Sequence, residues 1–339
     1  LYDGREVLDR LSNSSIWLAF QQARRDNESN RSVVGVLSRG DYGFKYSNDV
    51  VHLGLSNTEI SKLTVDDTSP VSHLDLRECL SLLSNLQGGG LSTKVYKNLR
   101  LVVEFETDKQ RITTTSDVEI IIQEPDLVVD VTTEQLPTPK MISFLSIEHD
   151  EYTLPVQTNP TDAVLAENAV LPKTLTSNRL NGFQNRTCDR MLVCKQYQDL
   201  TKQGTTVKPK NGSIANIQES FNVKINGANI FTQPLDKPCL KTHIFNEAWG
   251  PIDCPPFFNE AYSANTNIVP ANITGFCDYI GCDLGGVQVK DMSIDHSRGA
   301  ITDDATGEYN CLVAQRCHVF VECRKAIIMD GDSYVVQYV

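Results

Sequence analysis

FNVKINGANIF, Phe221 to Phe231, decides how the chain is read. Phe221, Val223 and Ile225 alternate with polar residues up to Asn226-Gly227, and Ile230 and Phe231 resume the apolar signal beyond it. Asn-Gly between alternating hydrophobics is a strong hairpin signal, because both residues tolerate the positive φ that a type I′ turn needs. The period is two, so this part of the chain is expected as sheet.

Working outward, NLRLVVEFET is the clearest strand of the first half. Leu99, Leu101, Val103 and Phe105 are expected on one face, with Arg100, Glu104 and Glu106 on the other. Ser32–Leu37, Val50–Leu55, Val118–Gln123 and Leu127–Thr132 read as further strands, with a turn at Pro125-Asp126. A helix is expected over Leu74–Leu86, stopped by Gly88-Gly89-Gly90. Beyond a Pro-, Thr- and Asn-rich stretch from Asn159 to Asn178, strands are expected at Cys188–Tyr197, Val287–Ile294, Asn310–Val321, Lys325–Met329 and Tyr334–Val339, with a short helix in Lys237–Trp249.

The first 25 residues read as the most helical part. Val7, Leu8 and Leu11 sit at helical spacing; Ser14 or Ser15 caps a second piece, Ile16–Arg25, with Trp17 and Phe20 on one face. Asp26–Ser32 is a polar linker. The division expected is an N-terminal helical arm (1–30) and two sandwiches, 31–160 and 161–339. Short strands with turns about every 8–12 residues point to an all-β protein made of two consecutive jelly-roll β-sandwiches with short helical insertions.

Bulk composition bounds the function. The 339 residues are 40% hydrophobic and 22% charged, which suffices for real cores. The net charge of -12, with no basic cluster beyond pieces such as Arg24-Arg25 and Lys208–Lys210, argues against extensive direct nucleic-acid binding. No apolar run approaches the length of a membrane-spanning helix. LYDGREVLDR has no apolar core of a signal peptide; lacking an initiator Met, it is expected to be a trimmed or processed start.

Nine of the ten cysteines fall between Cys188 and Cys323. None is in a CxxC pair, and Cys311, Cys317 and Cys323 follow one another at steps of six, one face of a strand. Buried thiols, disulfides and a metal all remain open readings, thiols foremost. N-x-[S/T] sequons stand at Asn13, Asn27, Asn30, Asn185, Asn211 and Asn272, and would be used only in a secretory lumen.

The search for catalysis finds no GxSxG, HExxH, Walker loop or GxGxxG. His149 lies in EHDE, Glu148 to Glu151, which reads as solvated charge on a strand or turn. The other histidines, His52, His73, His243, His296 and His318, have no second histidine at metal-ligand spacing in sequence. Asp303–Glu308 and Asp330–Asp332 read as turns lacking a full calcium-loop pattern. Trp249-Gly250-Pro251 and Pro255–Phe258 read as loop anchors, with sugar stacking as the other reading. No catalytic, cofactor-binding or metal-ligating residue is assigned, and the protein is expected not to be an enzyme.

The order of these segments resembles the double jelly-roll major capsid proteins of tailless icosahedral viruses, the adenovirus-hexon, virophage and polinton-like lineage. ESFNVKINGANIFTQPLDKP (Glu219–Pro238) is similar to that family's strand-turn-strand-Pro segment, and RCHVFVECRKAIIMDGDSYVVQYV (Arg316–Val339) to its closing strands. NLRLVVEFETD and IIIQEPDLVVDVTTE (Ile120–Glu134) resemble late strands of the first barrel, and LNGFQNRTCDRMLV (Leu180–Val193) the opening of the second. The resemblance implies a structural protein: a homotrimer with a pseudo-hexameric outline, tiling a virion shell assembled in the host cell. Its partners would be neighbouring capsomers, penton and minor capsid proteins, and an inner membrane reached without a transmembrane segment. No cofactor is implied. The alternative is a secreted or cell-surface β-sandwich module, carbohydrate-binding in one form, supported by sequons and cysteines; a β-sandwich hydrolase stands third.

Overall fold

The computed structural model describes residues 1–24, 76–86, 90–105, 127–133, 139–155, 174–198, 219–250, 279–298, 314–331 and 333–339. In chain order its elements are β1 (Tyr2–Asp3), β2 (Glu6–Val7), α1 (Ser14–Arg24), α2 (Leu76–Cys79), α3 (Ser81–Ser84), β3 (Leu99–Arg100), β4 (Met141–Leu154), β5 (Thr174–Leu180), β6 (Arg186–Tyr197), β7 (Glu219–Ile225), β8 (Ala228–Asn229), α4 (Pro238–Trp249), β9 (Ile280–Val289), β10 (Met292–Arg298), β11 (Gln315–Asp330) and β12 (Ser333–Tyr338).

The Asn-Gly hairpin forms as read. Asn226 and Gly227 have φ of 54° and 81°, and Ile225 pairs with Ala228 across them. Asn226 also clips the neighbouring turn: its Oδ1 accepts from Lys290 N–H at 2.7 Å, and its amide donates to Gln288 O at 3.0 Å. That second turn divides the strand expected over Val287–Ile294 into the end of β9 and the start of β10. By contrast, the strands expected at Asn310–Val321 and Lys325–Met329 are one continuous strand, β11.

All pairings between strands are antiparallel. One sheet runs β4-β11-β6-β9. Along one edge β11 meets β4 over Gln315–Ile328; along the other it meets β6 over Gln315–Cys323 and then β12 over Lys325–Asp330. The second sheet runs β5-β10-β7-β8. Counting the eight strands from β4 to β11, the first sheet takes the first, eighth, third and sixth, and the second takes the second, seventh, fourth and fifth. That alternation is the strand order of a jelly roll, two interleaved Greek keys. The protein is all-β in these residues, with short helices laid against the sheets.

The roll therefore opens with β4, on the N-terminal side of the boundary expected at 160. The segments expected to build an earlier sandwich fare differently. Ser32–Leu37, Val50–Leu55 and Val118–Gln123 lie outside the described residues. Among the described residues of NLRLVVEFET only Leu99–Arg100 are paired, to β1; Val102, Val103 and Phe105 are about half exposed. Leu127–Thr132 is likewise no strand, with Val128 and Val131 almost fully exposed. Alternation makes a strand only where a neighbour supplies the ladder, and among the described residues none pairs with these.

The N-terminus is also corrected. Residues 1–7 form a small hairpin, β1 with β2, turned at Gly4 (φ 60°), where helical spacing had suggested a helix. A helix of so few residues has little stability of its own. The second piece, α1, forms as expected. The helix expected over Leu74–Leu86 is broken at an extended Leu80 into the single turns α2 and α3. Asp9 Oδ2 accepts from Leu82 N–H at 2.8 Å, so a residue remote in sequence caps the second piece.

Burial explains the sequence patterns. The main core lies between the sheets: Phe183, Met191, Val193, Phe221, Val223, Ile280, Met292, Ile294, Val319 and Val321. The other face of the first sheet is covered by α1 and α4, through Ile16, Trp17, Phe20, Phe245 and Trp249 packed on Leu192, Cys194 and Phe320. The middle strands β6 and β11 are thus buried on both faces, hence the unbroken apolar runs MLVC and VFV. On β7, by contrast, Lys224 turns from the core to pair with Asp295 on the neighbouring strand. Gly281 lets α4 sit down: a Cβ there would meet Trp249 at 2.8 Å and Phe245 at 2.9 Å. Trp249 Nε1 donates to Met191 O at 2.9 Å.

Candidate functional site

The polar chemistry of the molecule gathers on β4 and β11, on both faces of that one strand pair. On the face toward the helices, His149 and Glu151 are two apart on β4 and so point the same way. His318 of β11 is directly opposite Glu151 in the register, and Phe320 is opposite His149. His149 Nε2 lies 3.2 Å from His318 Nδ1, and Glu151 Oε2 lies 3.7 Å from the same nitrogen. The imidazoles stack, with centroids 5.4 Å apart and planes at 28°. His149 also leans on Phe320, with 5.0 Å between centroids. Asn13, just before α1, brings its amide nitrogen to 3.2 Å from His149 Nε2.

His318 is fully buried, His149 partly, and the Glu151 side chain is 49% exposed. Burial pushes the His149 imidazole below its ordinary pKa, against the pull of Glu151 and Asp150. Burial thus favours the neutral ring, the form that keeps one nitrogen as an acceptor.

On the opposite face a buried ionic network separates the main core from a smaller one formed by Leu8, Leu82, Val95, Tyr96, Ile142, Phe144 and Ile327. Glu148, 2% exposed, accepts from Tyr338 Oη at 2.5 Å and from Arg186 Nη1 at 2.9 Å, with Arg10 at 3.4 Å. The Ser146 hydroxyl bridges Glu148 Oε1 (3.1 Å) and Asp9 Oδ1 (3.2 Å). Lys325 Nζ donates to Val7 O at 3.3 Å. Burial pushes the Glu148 carboxyl up, but Tyr338, Arg186 and Arg10 outweigh it and hold Glu148 below the usual carboxylate range. Asp9 is pushed up by burial despite the Leu82 N–H, and burial pushes Lys325 down despite both acids. The network ties the N-terminal hairpin, β4, β6 and β12 together.

A third polar feature lies at a bulge. Cys188 pairs with Cys323 and Arg190 with Glu322, which leaves Asp189 as the extra residue. Its carboxylate takes a fork from Arg324, at 2.9 and 2.6 Å. Arg190 forks onto Glu322 at 2.6 and 2.8 Å. Bidentate pairs of this kind fix register.

The EHDE stretch is thus corrected: Glu148 is buried and bonded, and His149 meets His318, 169 residues away. Spacing along the chain could not show a pair made across strands. Trp249 is a packed anchor, as read. Asp330 and Gly331 (φ 61°) form the β11–β12 turn. Asp303–Glu308, Pro255–Phe258, Gly88 and Gly89 lie outside the described residues. Among the described cysteines, Cys188, Cys239, Cys282 and Cys323 are free thiols. Cys317 and Cys323 share the inner face as expected, while Cys311 lies outside the described residues. Cys188 Sγ stands 3.6 Å from Cys323 Sγ, and burial, then Asp283, pushes the Cys282 thiol up to about 12.

The strand order defines a jelly-roll protein, and the solved structures to which the chain is similar include virus structures. PBCV-1 VP54, fitted into a reconstruction of the virophage Sputnik, matches at 8% identity and a TM-score of 0.34, covering 59% of this chain and 51% of that one. A structure of the Sputnik virophage matches at 11% identity and 0.32, covering 60% and 40%. The mavirus major capsid protein matches at 13% identity and 0.30, covering 60% and 42%. The chain spans about half the length of the first of these and less of the others. No protein-family model matches, and no curated protein matches. The jelly-roll assignment rests on this chain's own pairings.

Proposed function

We propose that the protein is a major capsid protein: a non-enzymatic building block in which the roll beginning at β4 is the second of two, the first lying ahead of it in the chain. Three copies would form a pseudo-hexameric capsomer, and capsomers would tile an icosahedral virion shell together with penton and minor capsid proteins. The observation that carries this is the strand order, first-eighth-third-sixth facing second-seventh-fourth-fifth. A jelly roll buries its strands in two facing sheets and sends its connections to the two ends, which suits a block packed side by side with others. Lectins and cupins share the roll. What favours a shell is the resemblance of Glu219–Pro238 and Arg316–Val339 to capsid segments, together with a net charge of -12 that leaves the genome to other partners. Among the described residues no helix is long and apolar enough to cross a membrane.

The test is the solution mass by light scattering, with negative-stain images of the same fraction. Three times 37.7 kDa with hexagonal outlines is the expected result. A monomer at capsid-like concentrations would sink the trimer.

A further inference from the structure

We propose that His149, His318 and Glu151 form a binding site for a divalent first-row transition ion, zinc foremost. This is independent of the capsid reading. With zinc–nitrogen bonds of about 2.0–2.1 Å, two imidazoles on a tetrahedral ion stand about 3.3–3.4 Å apart. His149 Nε2 and His318 Nδ1 are 3.2 Å apart already. Glu151 Oε2 lies 3.7 Å from His318 Nδ1, and its half-exposed side chain has room to swing toward the two rings. All three ligand atoms lie within 4.8 Å of one another.

The donor types select the ion. Two nitrogens and one carboxylate oxygen suit zinc and its neighbours; calcium and magnesium want oxygen throughout. The two rings are pre-set, His318 by complete burial and His149 by its stack between His318 and Phe320. Glu151 supplies the approach from solvent. Asn13 borders the fourth corner, where its amide turned over would offer an oxygen in place of nitrogen. An ion there joins β4 to β11 and both to the start of α1.

Cobalt(II) makes the test specific, because its spectrum separates imidazole and carboxylate ligation from thiolate ligation in a cysteine-rich chain. The full chain, stripped with a chelator, is titrated with cobalt alone. One equivalent per chain is expected, with visible ligand-field bands and no strong sulfur-to-metal absorption, displaced by zinc. His149→Ala should weaken binding at least about 10-fold, since even partners outside the ligand shell are worth about 10–100-fold. Glu151→Gln, at a half-exposed position, should weaken it several-fold while keeping the fold. No binding by the wild-type chain overturns the proposal, leaving a histidine pair that shares a proton. Binding that survives His149→Ala unchanged, or shows only thiolate absorption, overturns it equally. Should His149→Ala not fold, unchanged affinity in Glu151→Gln does so.

Discussion

Tyr338 donates its hydroxyl to Glu148 at 2.5 Å, so the strand that follows the roll is bonded to the strand that opens it. Arg186 completes the arrangement, with its guanidinium 2.9 Å from Glu148 and 4.2 Å above the Tyr338 ring. A buried carboxylate with this many donors is over-determined, and each donor loses its purpose if the acid is removed.

Glu148→Ala leaves the largely buried Arg186 guanidinium without its carboxylate partner. Breaking a buried ion pair from one side costs roughly 3–5 kcal/mol. Tyr338→Phe removes one donor and should cost about 1–3 kcal/mol. Urea denaturation of the three proteins orders them: wild type above Tyr338→Phe above Glu148→Ala. Equal midpoints for the two variants would show that the arginine is solvated.

Two glycine substitutions separate two mechanisms. Gly281→Ala drives a methyl into Trp249 and Phe245 and should cost about 1–3 kcal/mol as overpacking. Gly227→Ala meets nothing within 4 Å but must hold φ of +81°, a strain of roughly 1–2 kcal/mol. A smaller ring at Trp249 should partly rescue the first and leave the second untouched, which a double-mutant cycle reads directly.

Deleting residues 1–25 tests where the N-terminal segment belongs. Trp17 and Phe20 are buried against Trp249, at ring distances of 5.9 and 5.4 Å, on the chain's own sheet. The segment expected as an N-terminal helical arm thus has its aromatic face already occupied. The deletion should lower the melting temperature of the isolated protein before assembly is scored. A melting curve that does not move would return the segment to an intermolecular role.

Asp295 gives a pH signature. Burial pushes its carboxyl up, but Lys224 at 2.6 Å, with the Ser177 hydroxyl, outweighs that and holds it below its ordinary value of 3.8. A folded pKa below the unfolded one means stability fully present above the unfolded value and lost as pH falls through the folded one. Asp295→Asn should therefore be less stable than wild type at pH 6, with the gap closing as pH falls below the unfolded value and through the lower folded one. A gap that stays constant with pH would mean the pair contributes nothing electrostatic.

Thiol labelling reads burial. Among the seven described cysteines only Cys239 is exposed, so it should react first in the native protein. Cys188, Cys194, Cys282, Cys317 and Cys323 should label only on unfolding. Mass mapping after a short exposure to an alkylating reagent checks the order.

Local chemistry was legible where the pattern was self-contained. The Asn226-Gly227 turn, α1 and α4 each carry their signal within a dozen residues, and each forms. The jelly-roll type was legible from strands and turns, but its starting strand was not. β4 carries no clear period, because MISFLSIEHD is buried partly on both faces and carries polar residues inward. Leu101–Phe105 misled in the opposite sense: its alternation is clean, yet a strand exists only with a partner. The histidine pair and the Glu148 network join residues 169 and 190 positions apart. The registers of β4, β6 and β12 on β11 bring them together, and register is a tertiary fact.

The position of β11 also sets the order in which the protein can come to exist. It is the second-last strand, and it lies between β4 and β6. Among the described strands, β4 pairs along its backbone with no other. During synthesis, then, the roll's opening strand must wait with its edge unsatisfied while some 160 residues follow it from the ribosome. Such late, distant closure is slow and leaves sheet edges exposed to other nascent chains. A protein made in bulk would depend on holding help until Gln315–Asp330 has emerged, and its yield would be limited by that interval more than by the stability of the finished roll.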